Sequence, residues 1–426
     1  MDHFEYISGG LYCEGVSLAE LAESVGTPAY VYSRATLVEH YVRLREAFAE
    51  LDPVICFSIK SCPNVHICRL LGEQGAGFDA VSGGEVFRAL RAGARAEDIV
   101  FAGVGKTDVE LGEALDAGAG LFNVESEPEL DRLIHLASLR GAVPRAGLRI
   151  NPDVDPGTHA HTTTGLKGTK FGMDLDQARA VFGRYGPSEH VRLCGIHLHL
   201  GSPVNSVEPY VLAIRRALGL IEELARDGFE VDTLDVGGGF GAHYDGEEAP
   251  SAADYAGAIV PLLAGRGLRV ILEPGRTIAA NAGVLVARTL YLKRSGDKRF
   301  VIVDAGMSDL IRPALYGAEH FVWPVSPVGD SVPPARAIDL RLPGSVEVDV
   351  VGPVCESGDF LARSRWLPPL KRGDLLAVFG AGAYGFSMAS QYNSRPRPPE
   401  ILIERDSYRI IRTRETYEDL IRAEQV

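Results

Sequence analysis

Short apolar runs alternate along the chain with longer stretches in which apolar residues recur every third or fourth position. The short runs are "VICFSI" (54–59), "FDAVS" (78–82), "DIVFAG" (98–103), "LFNVES" (121–126), "AGLRIN" (146–151), "CGIHLHL" (194–200), "TLDVG" (233–237) and "RVILEP" (269–274). Each is short, rich in β-branched or aromatic residues, and bounded by turn formers, which is the signature of a buried strand. Between them, segments such as "VEPYVLAIRRALGLIEELARDG" (207–228) carry the amphipathic helical period. Eight strands alternating with helices predict an α/β chain with a TIM-like (β/α)8 barrel. After residue 277 the rhythm changes: "RFVIVDAG", "VEVDVVG" and "DLLAVFG" are strand-like but no longer separated by long helices. The expected organisation is a barrel over 31–277 and a second, C-terminal β domain over 278–426.

Length agrees with two domains, since 426 residues exceed one ordinary core, whereas an α/β barrel fills about 250 as a single unit. With 46% hydrophobic residues, 23% charged and a net charge of −14, the chain offers no basic surface for nucleic acid. The start "MDHFEYISGG" has neither a basic nor an apolar leader region, and no run approaches the roughly 18 apolar residues that would span a bilayer. A cytoplasmic protein without membrane partners is expected. Cys13, Cys56, Cys62, Cys68, Cys194 and Cys355 form no C-x-x-C pair, so they read as reduced thiols rather than as a disulfide framework or zinc ribbon.

Catalytic groups of a (β/α)8 barrel sit at the C-terminal ends of its strands, and here those ends are rich in chemistry. Lys60 follows the first strand, "HLHLGS" the sixth, "GGGFG" the seventh, and the eighth ends in "EPGR". Glycines 237 to 239 leave backbone N–H groups to approach an anion, and Arg276 supplies countercharge, so the pair of loops reads as a phosphate site. His197 and His199 share a strand face pointing into the barrel, while Ile196, Leu198 and Leu200 face the helices. A metal pair is the rival reading, but the sequence shows no nearby Glu or third His to complete a ligand set, so no metal is assigned. "HAH" (159–161), in the polar loop "GTHAHTTTGLKGTK", is a weaker signal of the same kind. A lysine, an imidazole, a carboxylate in Glu273 and an anion cradle are together what pyridoxal phosphate requires. Two other motifs fail: "GVGKT" (103–107) has Val100 where a P-loop needs glycine, and "GGGFGA" (237–242) is followed by "HYDGEEAPS" rather than a helix.

Over nearly its whole length the chain resembles the fold-type III pyridoxal-phosphate decarboxylases, and most of all their diaminopimelate branch. The matching stretches are "GTPAYVYS", "GFDAVSGGEV", "NPDVDPGTHAHTTTGLKGTKFG", "HLHLGS", "LDVGGGFG", "EPGR", "DAGMSDLIRPALYGAEH", "VVGPVCESGDFLA" and "GAYGFSMASQYNSRPRPPE". The resemblance implies that residues 1–30 join a C-terminal β-barrel domain and that the enzyme is a homodimer with shared active sites. It also implies that pyridoxal 5'-phosphate is the cofactor and meso-2,6-diaminopimelate the substrate, giving L-lysine and carbon dioxide. Lys60 resembles the Schiff-base lysine, His199 the imidazole stacked on the cofactor ring, and Glu273 the partner of the pyridine nitrogen. Gly238, Gly239, Gly275, Arg276 and Tyr384 match phosphate-binding positions, with Asp79 and Ser202 as supports. Cys355 matches the thiol that delivers a proton after carbon dioxide leaves, from the partner subunit. Arg276, Arg312, Tyr316, Glu356 and Tyr384 match positions that hold the substrate.

The chain departs from the family at Ser61 and Cys62, where alanine and asparagine usually follow the lysine, and at Pro203, where glutamine is usual. Three other readings stand beside the leading one. A related decarboxylase would act on another amino acid, ornithine-like or a glutamyl group tethered to a carrier protein. A racemase on the same barrel would need a second base, which "CESGD" does not suggest. An inactive homologue serving as a binding partner would be expected to have lost Lys60 or Cys355, and both are present.

Overall fold

The computed structural model describes residues 2–155, 157, 164, 165, 168–244, 249–329 and 331–425. His159 and His161 of "HAH", with most of their loop, lie outside the described residues. The chain forms two compact units: Met1–Glu39 with Ala242–Glu248 and Ile278–Val426, and His40–Gly241 with Ala249–Thr277.

The second of these is a closed barrel of eight parallel strands. In chain order they are β1 (Val54–Ser58), β2 (Gly77–Ala80), β3 (Ile99–Phe101), β4 (Leu121–Val124), β5 (Arg145–Arg149), β6 (Arg192–His197), β7 (Thr233–Asp235) and β8 (Arg269–Leu272), with β8 pairing β1 to close the ring. Every run expected to be a strand is one. Several stop earlier than their apolar composition suggests, because the last residues of the run turn into the loops that carry the site; β6 ends at His197, so His199 stands beyond it.

Alternation along the strands fills the barrel in layers. Cys56, Val100, Leu121 and Ile271 make an apolar floor. Two residues further along the chain from Cys56, Leu121 and Ile271 stand Ser58, Asn123 and, just past the end of β8, Glu273, all buried. The helices close the outside with their apolar stripes, as Glu208–Arg226 does by burying Tyr210, Ile214, Leu218 and Leu224. Each such side chain contributes about 1.5–3 kcal/mol. Many of these helices begin on a side-chain cap, for example Thr107, Ser126, Asp174 and Ser251, which satisfies N–H groups that the first turn cannot pair.

The other unit is mostly sheet. Its organising strand is Gly283–Ser295, thirteen residues long, which pairs with Ala29–Ser33, Leu375–Val378 and Lys298–Val303. The N-terminal strand Ala29–Ser33 also lies parallel to Glu400–Glu404, so the start and end of the chain share one sheet. Buried Tyr30, Tyr32 and Trp323 form part of its core, and their polar ends are satisfied: Tyr30 donates to the Asp309 carbonyl, Tyr32 to Glu400 and the Trp323 indole to the Ser331 carbonyl. Among the described residues no helix is long and apolar enough to cross a membrane.

Candidate active site

The end of β1 passes into a single 3-10 turn, Ile59–Ser61, which lifts Lys60 to the rim. Its Nζ donates to Asp79 Oδ2 at 3.0 Å, and the same oxygen accepts from Ser58 Oγ at 2.7 Å. Asp79 reaches that place because it stands opposite Ser58 in the β1–β2 register. Burial pushes the Asp79 carboxyl up, Glu273 pushes it further, and Lys60 opposes both. The Lys60 side chain keeps 31% exposure while Asp79 keeps none, so the amine faces the barrel mouth and its partner is sealed beneath. Ser61, one of the departures, donates to the Ser58 carbonyl at 2.7 Å and packs where a side chain on Gly275 would stand, 3.0 Å from that point.

Across the barrel, His197 and Glu273 are fully buried, with His197 Nε2 3.4 Å from Glu273 Oε2. Asp235 on β7 completes a cluster in which one ligating atom from each of the three lies within 4.8 Å of the others. The expectation that no Glu stands near the histidine pair is therefore corrected: Glu273, with Asp235, comes from the next two strands, and register, not sequence distance, brings them together. Only His197 joins this group; the other histidine, His199, has its Nδ1 3.3 Å from the Gly238 N–H, which donates to it. Burial, then Lys60 and Arg149, hold the His199 pKa well below its ordinary value, so the ring is neutral and able to accept. Burial alone would push the Glu273 carboxyl up, but His197 and Lys60 draw it well below the usual carboxylate range.

The glycine turn after β7 is forced by close approach. A Cβ on Gly237, Gly238 or Gly239 would lie 2.1, 2.2 or 2.3 Å from the carbonyl oxygen of Leu198, Glu273 or Gly201. Gly237 and Gly239 also take φ of 77° and 96°, the left-handed region that favours glycine. From below, Tyr210 donates to the Gly238 carbonyl at 2.8 Å and Tyr255 bridges Gly241 and Val204. Arg276, buried, donates through Nε to Ser202 Oγ at 3.0 Å. Lys60, Asp79, His199, Ser202, Gly238, Gly239, Glu273, Gly275 and Arg276 all lie at strand ends of one barrel mouth.

The remaining candidates belong to the sheet unit. Arg312 opens the short helix Arg312–Tyr316, which also carries Tyr316. Arg312 Nη1 lies 2.9 Å from His320 Nε2, and His320 Nδ1 lies 2.8 Å from the Phe379 carbonyl. A guanidinium only donates, so Nε2 accepts and Nδ1 carries the proton. The guanidinium also lies 4.4 Å from the Tyr244 ring centroid. Cys355 is exposed; its N–H donates to Asn393 Oδ1 at 3.0 Å, and neighbouring Glu356 accepts from Tyr392 at 2.5 Å. Asp359 braces this loop by accepting from the Met307 and Val354 N–H groups. Tyr384 sits at φ 57°, rare for a non-glycine residue.

Sequence reading missed Asp235, Asn123 and the buried ion pair of Arg149 with Glu125, 2.7 Å apart. Inward parity along the strands was the available signal for all of them.

The set fits pyridoxal phosphate on the structure's own terms. Glu273 Oε1 and Asp79 Oδ1 are buried oxygens with no partner among the described residues, the glycine turn admits no side chain, and an amine, an imidazole and a guanidinium stand at the same mouth. Comparison with known proteins agrees. Residues 34–280 match the family model described as "Pyridoxal-dependent decarboxylase, pyridoxal binding domain". The chain is 44% identical over 420 residues to a diaminopimelate decarboxylase of Aquifex aeolicus, covering 98% of this chain and 96% of that one. It is 46% identical over 426 residues to one of Pseudomonas aeruginosa, covering 100% and 99%. A crystal structure of diaminopimelate decarboxylase from Helicobacter pylori complexed with L-lysine superposes with a TM-score of 0.89 at 40% identity, covering 96% of this chain and 99% of that one. The chain belongs to the pyridoxal-dependent decarboxylases, in the diaminopimelate decarboxylase family.

Proposed function

We propose that the chain removes the carboxylate at the D-configured centre of meso-2,6-diaminopimelate as carbon dioxide, leaving L-lysine. The observation that carries this reading is the barrel mouth, where an amine on a sealed carboxylate, a buried anion and a glycine turn meet in a chain alike to diaminopimelate decarboxylases from end to end. Pyridoxal 5'-phosphate, when bound, supplies the ring that takes up the electron pair left by departing carbon dioxide. Lys60 is the amine that attaches it, and Glu273 keeps the ring nitrogen protonated. Asp79 orients Lys60, His199 is the ring's aromatic partner, and Gly238, Gly239, Gly275, Arg276, Ser202 and Tyr384 hold the phosphate. Cys355 Sγ gives its proton to the α-carbon, a step suited to a weak acid.

Arg276, Arg312, Tyr316, Glu356 and Tyr384 hold the distal amino-acid end, for which a planar guanidinium is suited to bidentate carboxylate binding. Arg312 comes to this task already oriented by His320. The enzyme works as a homodimer with Cys355 contributed across the interface, and in the cytoplasm, where free amino acids are made.

Assay against meso-diaminopimelate, lysine, ornithine, arginine and a carrier-tethered glutamyl group tests the substrate. Only the first should be turned over, because the basic amino acids lack the distal anion that a guanidinium would bind in bidentate fashion. Arg312→Ala should raise KM and lower kcat, costing about 2–5 kcal/mol, or roughly thirty- to several-thousand-fold in kcat/KM. Turnover of another amino acid with none of diaminopimelate would overturn the substrate and leave the decarboxylase reading standing.

A further inference from the structure

Asp235 has no role in the chemistry above, yet it lies wholly buried between His197 on β6 and Glu273 after β8. Its Oδ1 accepts from the Gly237 N–H at 2.9 Å and its Oδ2 from Asn123 Nδ2 at 2.8 Å. Both donors are neutral. Glu273 is placed differently: its Oε2 faces His197 Nε2 at 3.4 Å, and Lys60 acts on it from the rim. The other titratable groups acting on this region are Cys56 from β1 and Asp79 from β2, neither of which is a cation, and His199 beyond β6, which acts on Glu273 and so adds to the same side of the balance. Two carboxyl groups so close in a buried interior cannot both carry a full negative charge, and the proton goes to the one with the poorer set of countercharges.

We propose that Asp235 is a positioning residue whose carboxyl carries the proton of this buried pair, which leaves Glu273 to present the anion to the cofactor's ring nitrogen. Burial, then the Glu273 charge, push the Asp235 carboxyl well above its ordinary value, outweighing the two hydrogen bonds it accepts. Glu273 is displaced the other way. A carboxylate on Asp235 would instead drive a proton onto Glu273, and a protonated Glu273 cannot hold a positive ring nitrogen.

The inference rests on the role of Glu273 given above, but its first test needs no cofactor. In the apoenzyme labelled with 13C at aspartate carboxyls, the resonance lost in Asp235→Asn should sit at the protonated position at neutral pH. In Glu273→Gln the same resonance should move toward the ionised position, since the like charge is gone. An Asp235 signal already ionised in the wild type at neutral pH overturns the proposal. Should Asp235→Asn fail to fold, the comparison of wild type with Glu273→Gln decides alone, and the absence of any aspartate resonance that moves toward ionisation overturns it as well.

Asparagine imitates the protonated acid, and Asn123 can turn its amide over to suit it because Asn123 Oδ1 has no partner among the described residues. Cofactor affinity in Asp235→Asn should therefore stay within about threefold of wild type, while Asp235→Ala falls by more than about tenfold. A folded Asp235→Asn that loses as much as the alanine variant refutes the proton assignment. Failure of the wild type to bind pyridoxal phosphate at all would count against the function proposed above, and the carboxyl resonances would still decide the state of Asp235.

Discussion

Replacing Gly238 by alanine separates two jobs that the glycine turn could perform. Gly238 does not have a left-handed φ, so alanine there meets no backbone penalty and only a steric one. Its Cβ would lie 2.2 Å from the Glu273 carbonyl oxygen, more than an ångström inside an ordinary contact, and 3.2 Å from the carbon. The obstacle is backbone and is itself fastened, since the Glu273 N–H donates to the Gly237 carbonyl at 2.9 Å. Relief requires the ends of β7 and β8 to part. Overpacking of this kind costs about 1–3 kcal/mol, and an immovable neighbour places the expectation near the top, about 3 kcal/mol. For a unit of this size each 1 kcal/mol lowers Tm by about 2–4 °C, so the apoenzyme should lose roughly 6–12 °C by calorimetry. The same parting carries the Glu273 side chain away from its place, so cofactor affinity should fall too, about tenfold for every 1.4 kcal/mol lost. Gly219→Ala is the control: it lies in the helix Glu208–Arg226 with open space around its Cβ and should stabilise by about 0.5–1 kcal/mol. An apoenzyme Tm unchanged in Gly238→Ala would refute the steric argument, and a loss of cofactor affinity alone would make the turn a binding cradle and nothing more.

Other outcomes follow from single groups. Lys60→Ala should abolish the visible absorbance of the bound cofactor and all turnover, with the fold intact by circular dichroism; a colourless wild type that stays colourless with added cofactor would defeat the functional reading. Cys355→Ala, at an exposed loop position, should leave Tm and cofactor affinity unchanged and lower kcat by about 10²–10⁴-fold, the range for losing a general acid. Asp309, buried in the sheet unit, has its carboxyl pushed up to about 7 by burial. A folded-state pKa above the unfolded value of about 3.9 gives stability that is full below that value and lost as pH rises through about 7. Asp309→Asn should flatten that fall, which is of order 4 kcal/mol across the window, and a thermal-melt series across the same pH range that declines as steeply as wild type would show the group is not responsible.

The barrel was legible because its strands are buried on both faces and punctuated by turns, so each one writes a compact apolar word. Where the strands stop was not legible. "TLDVG" reads as one run, yet the strand ends at Asp235 because Gly237 turns to φ 77°, and nothing in composition separates the two. The sheet unit was harder still. Gly283–Ser295 buries its first five residues wholly and exposes its last five, so it shows neither clean alternation nor a uniform apolar stretch. Its pairing with Ala29–Ser33 joins segments some 250 positions apart, which no local pattern can announce.

The site divides along the same line. Residues that announce themselves by type at a strand end, such as Lys60, Glu273 and Arg276, could be found from the sequence because barrel topology says where such ends must gather. Residues that act sideways could not, because parity tells that Asp235 and His197 point inward but only the strand register tells that they meet. The three glycines show how a motif can conceal a structural reason. Read as a string, "GGGFG" is a cradle for an anion. In the structure each glycine also gives way to a carbonyl from a different loop, those of Leu198, Glu273 and Gly201, and the Gly238 N–H goes to His199. The turn is therefore the point at which the ends of β6, β7 and β8 are pressed together. Pressing them together is also what sets His197, Asp235 and Glu273 within reach of one another, so the same absence of side chains that shapes the turn builds the buried acid pair beneath it.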